Sequence, residues 1–160
     1  MSDPMASSYA IRTWLDSPSG KSHLQILQII CSVLMMGVAT AIVIFVILSP
    51  FREIDHEPNW VHFTLAMALT STSLGVGFSL SSIKKPSSDP LQLAKHATWS
   101  WIITYATLEG PAFINLIFFT LVKSNLEKGI LLGVTLCLLT LMIVRFPTHG
   151  RFLESLGASD

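Results

Sequence analysis

Four stretches of the chain are apolar for long enough to cross a bilayer, and short polar segments separate them. The first, Leu24 to Leu48, is nearly free of charge and closes at Ser49-Pro50, with Arg52 just beyond. The second, Trp60 to Ile83, follows Pro58-Asn59 and stops against Lys84-Lys85-Pro86, with Trp60 at its boundary. The third, Trp99 to Val122, has Trp99 and Trp101 at one end and Lys123 at the other, where a long amine can snorkel to the headgroups. The fourth runs from about Gly129 to Val144 and extends to Leu126 and Phe146, with Lys128 and Arg145 reaching outward. The pattern predicts an all-α integral membrane four-helix bundle with spans 24–48, 60–83, 99–122 and 126–146, flanked by tails 1–23 and 147–160.

Composition agrees. Of 160 residues, 51% are hydrophobic and 12% charged, and the formal net charge is zero; the mean hydropathy is +0.59. These values fit neither a soluble domain nor a disordered tail. No Lys/Arg block is present to bind phosphates, so nucleic acid is not an expected partner. Cys31 and Cys137 lie in apolar runs, where they act as small hydrophobes; their spacing suggests neither a disulfide framework nor a metal site. The first apolar run is too long for a signal-peptide core and no small-residue cleavage site follows it, so it reads as retained. Before it, Tyr9, Ile11, Trp14 and Leu15 interleave with Arg12 and Asp16 in a Ser- and Pro-rich stretch. That fits a short interfacial helix or a frayed tail.

Charge sets the orientation. With four spans, Arg12, Lys21, Lys84, Lys85, Lys95, Arg145 and Arg151 share one side, and Arg52, Lys123 and Lys128 the other. The excess predicts cytoplasmic termini, and the expected location is a bacterial inner (plasma) membrane. Glu53, Asp55 and Glu57 then face outward. Such a cluster can concentrate cations at a mouth, although it is also the ordinary composition of a solvated turn.

One residue breaks the apolar pattern. Glu109 has about ten residues of the third run before it, which at roughly 1.5 Å per residue puts it about 15 Å deep, in the middle of the hydrocarbon. A charged side chain there is costly, by about 3 kcal/mol on insertion scales, and commonly marks an ion path. Treating the second and third spans as an antiparallel hairpin puts Thr72 at similar depth, so Thr70-Ser71-Thr72-Ser73 can meet the carboxylate. Tyr105, one turn earlier on the same face, is a further donor. Pro111 cannot bond to the Thr107 carbonyl, which leaves a kink and a free acceptor beside the acid. The expected ion-binding group is Glu109 with Thr72, Ser73 and Tyr105; Gly75, Gly77, Gly110 and Pro111 shape the helix packing around it. Small residues favour close approach in lipid and suit either a tight bundle or an oligomer.

The elements Gly75-Val76-Gly77, Lys84-Lys85-Pro86 and Tyr105-Ala106-Thr107-Leu108-Glu109-Gly110-Pro111-Ala112 together resemble the c-ring proteolipid of rotary ATP synthases. That family joins a Gly-x-Gly helix through a basic cytoplasmic loop to a helix with one mid-membrane acid. The resemblance covers about Phe63 to Val122. It implies proton or sodium binding at Glu109, and partners that are further copies of the chain or other membrane subunits.

The alternative is a structural one, in which a protonated Glu109 hydrogen-bonds Thr72 or Tyr105 and only locks helices together, in a non-catalytic accessory subunit of a larger membrane complex. Asn115 fits a bridge between helices better than an ion ligand. A haem between helices would need two histidines at one depth, but His62 and His96 sit at opposite ends, and His23, His56 and His149 fall outside the spans. No cofactor is therefore expected. There is no Gly-x-Ser-x-Gly, His-Glu-x-x-His, phosphate-binding Gly loop or Cys-x-x-Cys, and catalysis by Glu109 alone would lack a partner acid or base. An enzymatic role is not expected.

Overall fold

The computed structural model describes residues 4–51, 56–58, 60–81 and 89–156. Six helices account for nearly all of them: α1 (Pro4–Asp16), α2 (Pro18–Leu48), α3 (Trp60–Ser81), α4 (Pro90–Leu121), α5 (Asn125–Val144) and α6 (His149–Ser155). No strand occurs among the described residues, so the fold is all-α. Four of the helices, α2 to α5, are long and apolar enough to cross a membrane. The acidic residues Glu53 and Asp55 and the basic loop Lys84-Lys85-Pro86 lie outside the described residues.

Helix lengths explain the architecture. The 22 residues of α3 and 20 of α5 cover about 33 and 30 Å, close to the hydrocarbon thickness of roughly 30 Å. The 31 residues of α2 and 32 of α4 cover about 46 and 48 Å. The carboxyl end of α2 meets the amino end of α5, and α4 joins α5 by a short turn. The surplus of α2 and α4 therefore projects from the opposite end of the bundle. Both helices start earlier than the hydrophobic pattern alone predicts, at residues 18 and 90 instead of 24 and 99, because each opens on a cap followed by proline. Ser17 Oγ accepts from Gly20 N at 3.2 Å, and Asp89 Oδ1 accepts from Leu91 N at 3.0 Å, with Pro18 and Pro90 at the first helical position.

Helices α1 and α6 dock on this projecting end. Ile11 and Leu15 of α1 are buried, in one core with Leu24 and Leu27 of α2, Ala94 and Ala97 of α4, and Phe152 and Leu156 at the carboxyl terminus. The amino-terminal segment is therefore a packed helix and not a frayed tail. Gly20 permits the tight turn into α2, since a Cβ there would overlap the Trp14 carbonyl oxygen and Leu15 Cα. Cross-links tie the collar together: His23 Nε2 lies 2.8 Å from Thr98 Oγ1, Gln28 Nε2 donates to the Pro147 carbonyl at 2.9 Å, and His149 Nε2 lies 3.7 Å from Asp16 Oδ1.

Within the bundle α4 is central. Half (50%) of its most apolar stretch is buried, against 17% for α2 and for α3 and 33% for α5, and it packs on α1, α2, α3 and α5. The outer surface is apolar: Ile26, Ile29, Val33 and Met36 of α2 and Val61, Leu65 and Leu69 of α3 are exposed. The interior instead holds Thr70, Thr104, Thr107, Asn115 and Thr135. In water this distribution would be unfavourable; in lipid it leaves apolar side chains to the acyl chains and polar ones inside, as with the Asn115–Thr70 bond. The chain is an integral membrane protein.

Lys128 departs from the outward reach expected of it. It is 2% exposed and folds under the end of α2, where its Nζ donates to the Ser49 carbonyl at 3.1 Å, Ser49 Oγ at 2.9 Å and the Pro50 carbonyl at 2.9 Å. The same ammonium lies 5.3 Å from the centroid of the Phe119 ring. The carbonyls that end a helix have no intrahelical donor, and a cation at that negative pole satisfies them. Arg145, by contrast, is exposed at the other end of α5.

Candidate functional site

The depth of Glu109 follows from the register of α3 against α4. Two contacts set it. Gly77 is buried against Thr107, so closely that any Cβ would overlap the threonine side chain. Asn115 Nδ2 donates to Thr70 Oγ1 at 3.2 Å, with both residues buried, which is the interhelical bridge expected of Asn115. Moving two residues from the Gly77–Thr107 contact, in opposite directions along the antiparallel helices, brings Gly75 level with Glu109. Thr72 lies three residues away, about 4.5 Å along the axis.

Two of the three donors expected around the carboxylate, Thr72 and Tyr105, are engaged elsewhere. Thr72 is exposed and its hydroxyl donates to the Ala68 carbonyl of its own helix at 2.8 Å. Tyr105 is fully buried and donates to the Met142 carbonyl of α5 at 2.5 Å. Its hydroxyl thus locks α4 to α5. Ser73 is half-buried on α3, two residues before Gly75. Counting from the ends of the hydrophobic runs sets Thr72 level with Glu109, whereas the Gly77–Thr107 contact sets Gly75 there.

Glu109 instead faces α2. Its Oε1 lies 3.5 Å from where a Cβ on Gly37 would stand, so the absence of a side chain at Gly37 leaves the carboxylate room against the α2 backbone. The residue is half-buried, and among the described residues no hydrogen bond reaches its carboxylate. Helix α4 is thus held between two glycine contacts, Gly77 of α3 on Thr107 and Gly37 of α2 on Glu109.

Of the other packing residues, Gly75 and Gly110 do not serve as close-approach points, since a Cβ on either would meet nothing within 4 Å. Pro111 is buried inside α4, which continues through it as a single helix to Leu121. No group of three or more His, Cys, Asp or Glu side chains could hold a metal ion among the described residues. Cys31 is buried and Cys137 exposed, and both are free thiols.

A second acid is more deeply buried than the first. Glu127 has no exposed surface, and both carboxylate oxygens, like Ser124 Oγ, lack a hydrogen-bond partner. Ser124 and Glu127 spell the Ser-x-x-Glu pattern of a capping box at the start of α5, but the Ser124 side chain makes no capping bond. The positive end of the α5 dipole favours a carboxylate in that turn. The capping pattern was readable in the sequence; the burial of Glu127 was not, because it depends on neighbours remote in the chain.

No family model, curated protein or solved structure matches the chain. The functional reading rests on the geometry of these residues.

Proposed function

We propose that this multi-pass membrane protein handles protons or small cations through Glu109, which alternates between a protonated and a charged form as its surroundings change. The observation that supports this is the state of the carboxylate itself: mid-span, half-buried, beside Gly37, and without a hydrogen bond from the described residues. A carboxyl whose only role was to lock helices would be expected in a bond such as those of Tyr105 to Met142 or Asn115 to Thr70. An intramembrane acid left unbonded is instead available to an ion, and such residues usually face a protein interior or a water path.

The uncovered side of Glu109 favours an assembly in which a further copy of the chain, or another membrane subunit, completes the surroundings. This is the arrangement that the proteolipid resemblance implies. The accessory-subunit reading has its own support in Tyr105, Asn115 and Lys128, whose buried bonds build a rigid bundle. Reconstituted into liposomes, the wild-type chain should dissipate an imposed proton or sodium gradient faster than empty vesicles. Glu109→Gln should fold normally and abolish that flux. Equal flux in both would remove Glu109 from any transport step.

A further inference from the structure

At the collar end of the bundle, a cavity of about 590 Å³ opens between α4, α5 and α6, lined by Trp101, Thr104, Arg145, Arg151, Glu154 and Ser155 among others. Its depth follows from α5: Arg145 is the residue after the last helical position, Val144, and so stands where the hydrocarbon ends. Trp101 lies on the neighbouring α4 at the same boundary, the level that tryptophan favours.

The two guanidiniums are held without being neutralised. Arg145 is exposed, and its Cζ sits 5.5 Å from the centroid of the Phe78 ring of α3. A cation over a ring face is attracted by the ring without spending its N–H donors. Arg151 Nη1 donates to the Val144 carbonyl, and to the Phe146 carbonyl at 3.4 Å, which uses only part of its five-donor fork. Among the described residues neither arginine forms an ion pair. Glu154 is the one carboxylate in the lining, three residues after Arg151 on α6 and exposed. The lining therefore carries two positive charges and one negative.

We propose that this cavity binds the phosphodiester headgroup of an anionic phospholipid. The phosphate lies between Arg145 and Arg151, and Glu154 accepts a hydrogen bond from a headgroup hydroxyl, as the glycerol of phosphatidylglycerol offers. Three features favour a lipid over a soluble anion: the position at the hydrocarbon boundary, the tryptophan wall, and the exposed apolar surface of Leu141 and Val144 on which an acyl chain can lie. Basic pockets between spans on the cytoplasmic side are common sites for anionic headgroups, and this end is the one that the Lys/Arg excess assigns to the cytoplasm. The proposal is independent of any role for Glu109.

The test is native mass spectrometry of the full chain released from nanodiscs containing equal phosphatidylglycerol and phosphatidylcholine, with and without inorganic phosphate. Phosphatidylglycerol should be retained preferentially. Arg145→Gln should lower that retention about fivefold, the size of one Arg contact with an anionic lipid, and Lys123→Gln at the opposite end should leave it unchanged. Arg145→Lys, which keeps the charge and loses the fork, should fall between them; circular dichroism should show every variant as helical as wild type. Equal retention of the two lipids, or an unchanged Arg145→Gln, would overturn the proposal. Displacement of the lipid by inorganic phosphate at millimolar concentration would overturn the lipid assignment in favour of a soluble anion.

Discussion

Gly37 of α2 lies against Glu109 of α4, with the carboxylate Oε1 3.5 Å from the position a Cβ on Gly37 would take. This contact places the intramembrane acid on the α2 side of the central helix and leaves part of it uncovered.

A single methyl at Gly37 fits at ordinary van der Waals distance, so Gly37→Ala should change the midpoint of thermal unfolding in detergent little. Gly37→Leu must push the carboxylate aside and should cost about 1–3 kcal/mol. Thermal unfolding of both variants, together with gradient dissipation in liposomes, separates packing from function at this contact.

On the other flank of α4 the tolerance disappears. Gly77→Ala would overlap the side chain of Thr107 and force α3 from α4, whereas Gly75→Ala meets nothing within 4 Å. The first should destabilise by roughly 1–3 kcal/mol and the second should be neutral or slightly stabilising, as expected for an added helix former. Denaturation of the paired variants under one set of conditions checks the register directly.

Tyr105→Phe removes the hydrogen bond to the Met142 carbonyl and should lower stability by about 0.5–1.5 kcal/mol. Because that hydroxyl is committed to α5, the substitution should leave Glu109-dependent flux intact. A Tyr105→Phe variant that folds like wild type but loses flux would return Tyr105 to the ion site.

Lys128→Met leaves the carbonyls of Ser49 and Pro50 and the Ser49 hydroxyl without this donor, and should cost about 1–3 kcal/mol. Lys123, exposed in the adjoining turn, should be replaceable by Gln with a change within about 0.5 kcal/mol. Unfolding midpoints of the two variants, measured side by side, test whether a buried cation clamps α2 to α5.

The spans were legible because uninterrupted apolar composition is a strong signal, and Glu109 stood out because charge in such a run is rare. Helix ends were less legible. Ser17-Pro18 and Asp89-Pro90 carry a recognisable cap-and-proline pattern, yet hydrophobicity draws the eye to Leu24 and Trp99, about two turns later. Counting depth from the ends of hydrophobic runs also sets Thr72 level with Glu109, about three residues from the register that Gly77–Thr107 and Thr70–Asn115 give. The role of Gly37 was not legible. A lone glycine in a long apolar helix has no signature until the facing helix is known, and the burial of Lys128 and Glu127 likewise depends on neighbours remote in sequence.

The central claim is that Glu109 is a titratable carboxyl open to exchange from outside the bundle. Dicyclohexylcarbodiimide attacks protonated carboxyls in apolar surroundings, so labelling of the purified protein across a pH series, with the modified residue located by mass spectrometry, tests the claim directly. The account predicts modification at Glu109 that falls as pH rises and is suppressed by sodium if that ion is the ligand. Absence of labelling at Glu109 at every pH, in protein shown to be folded, would contradict it and assign the residue to a sealed structural interior.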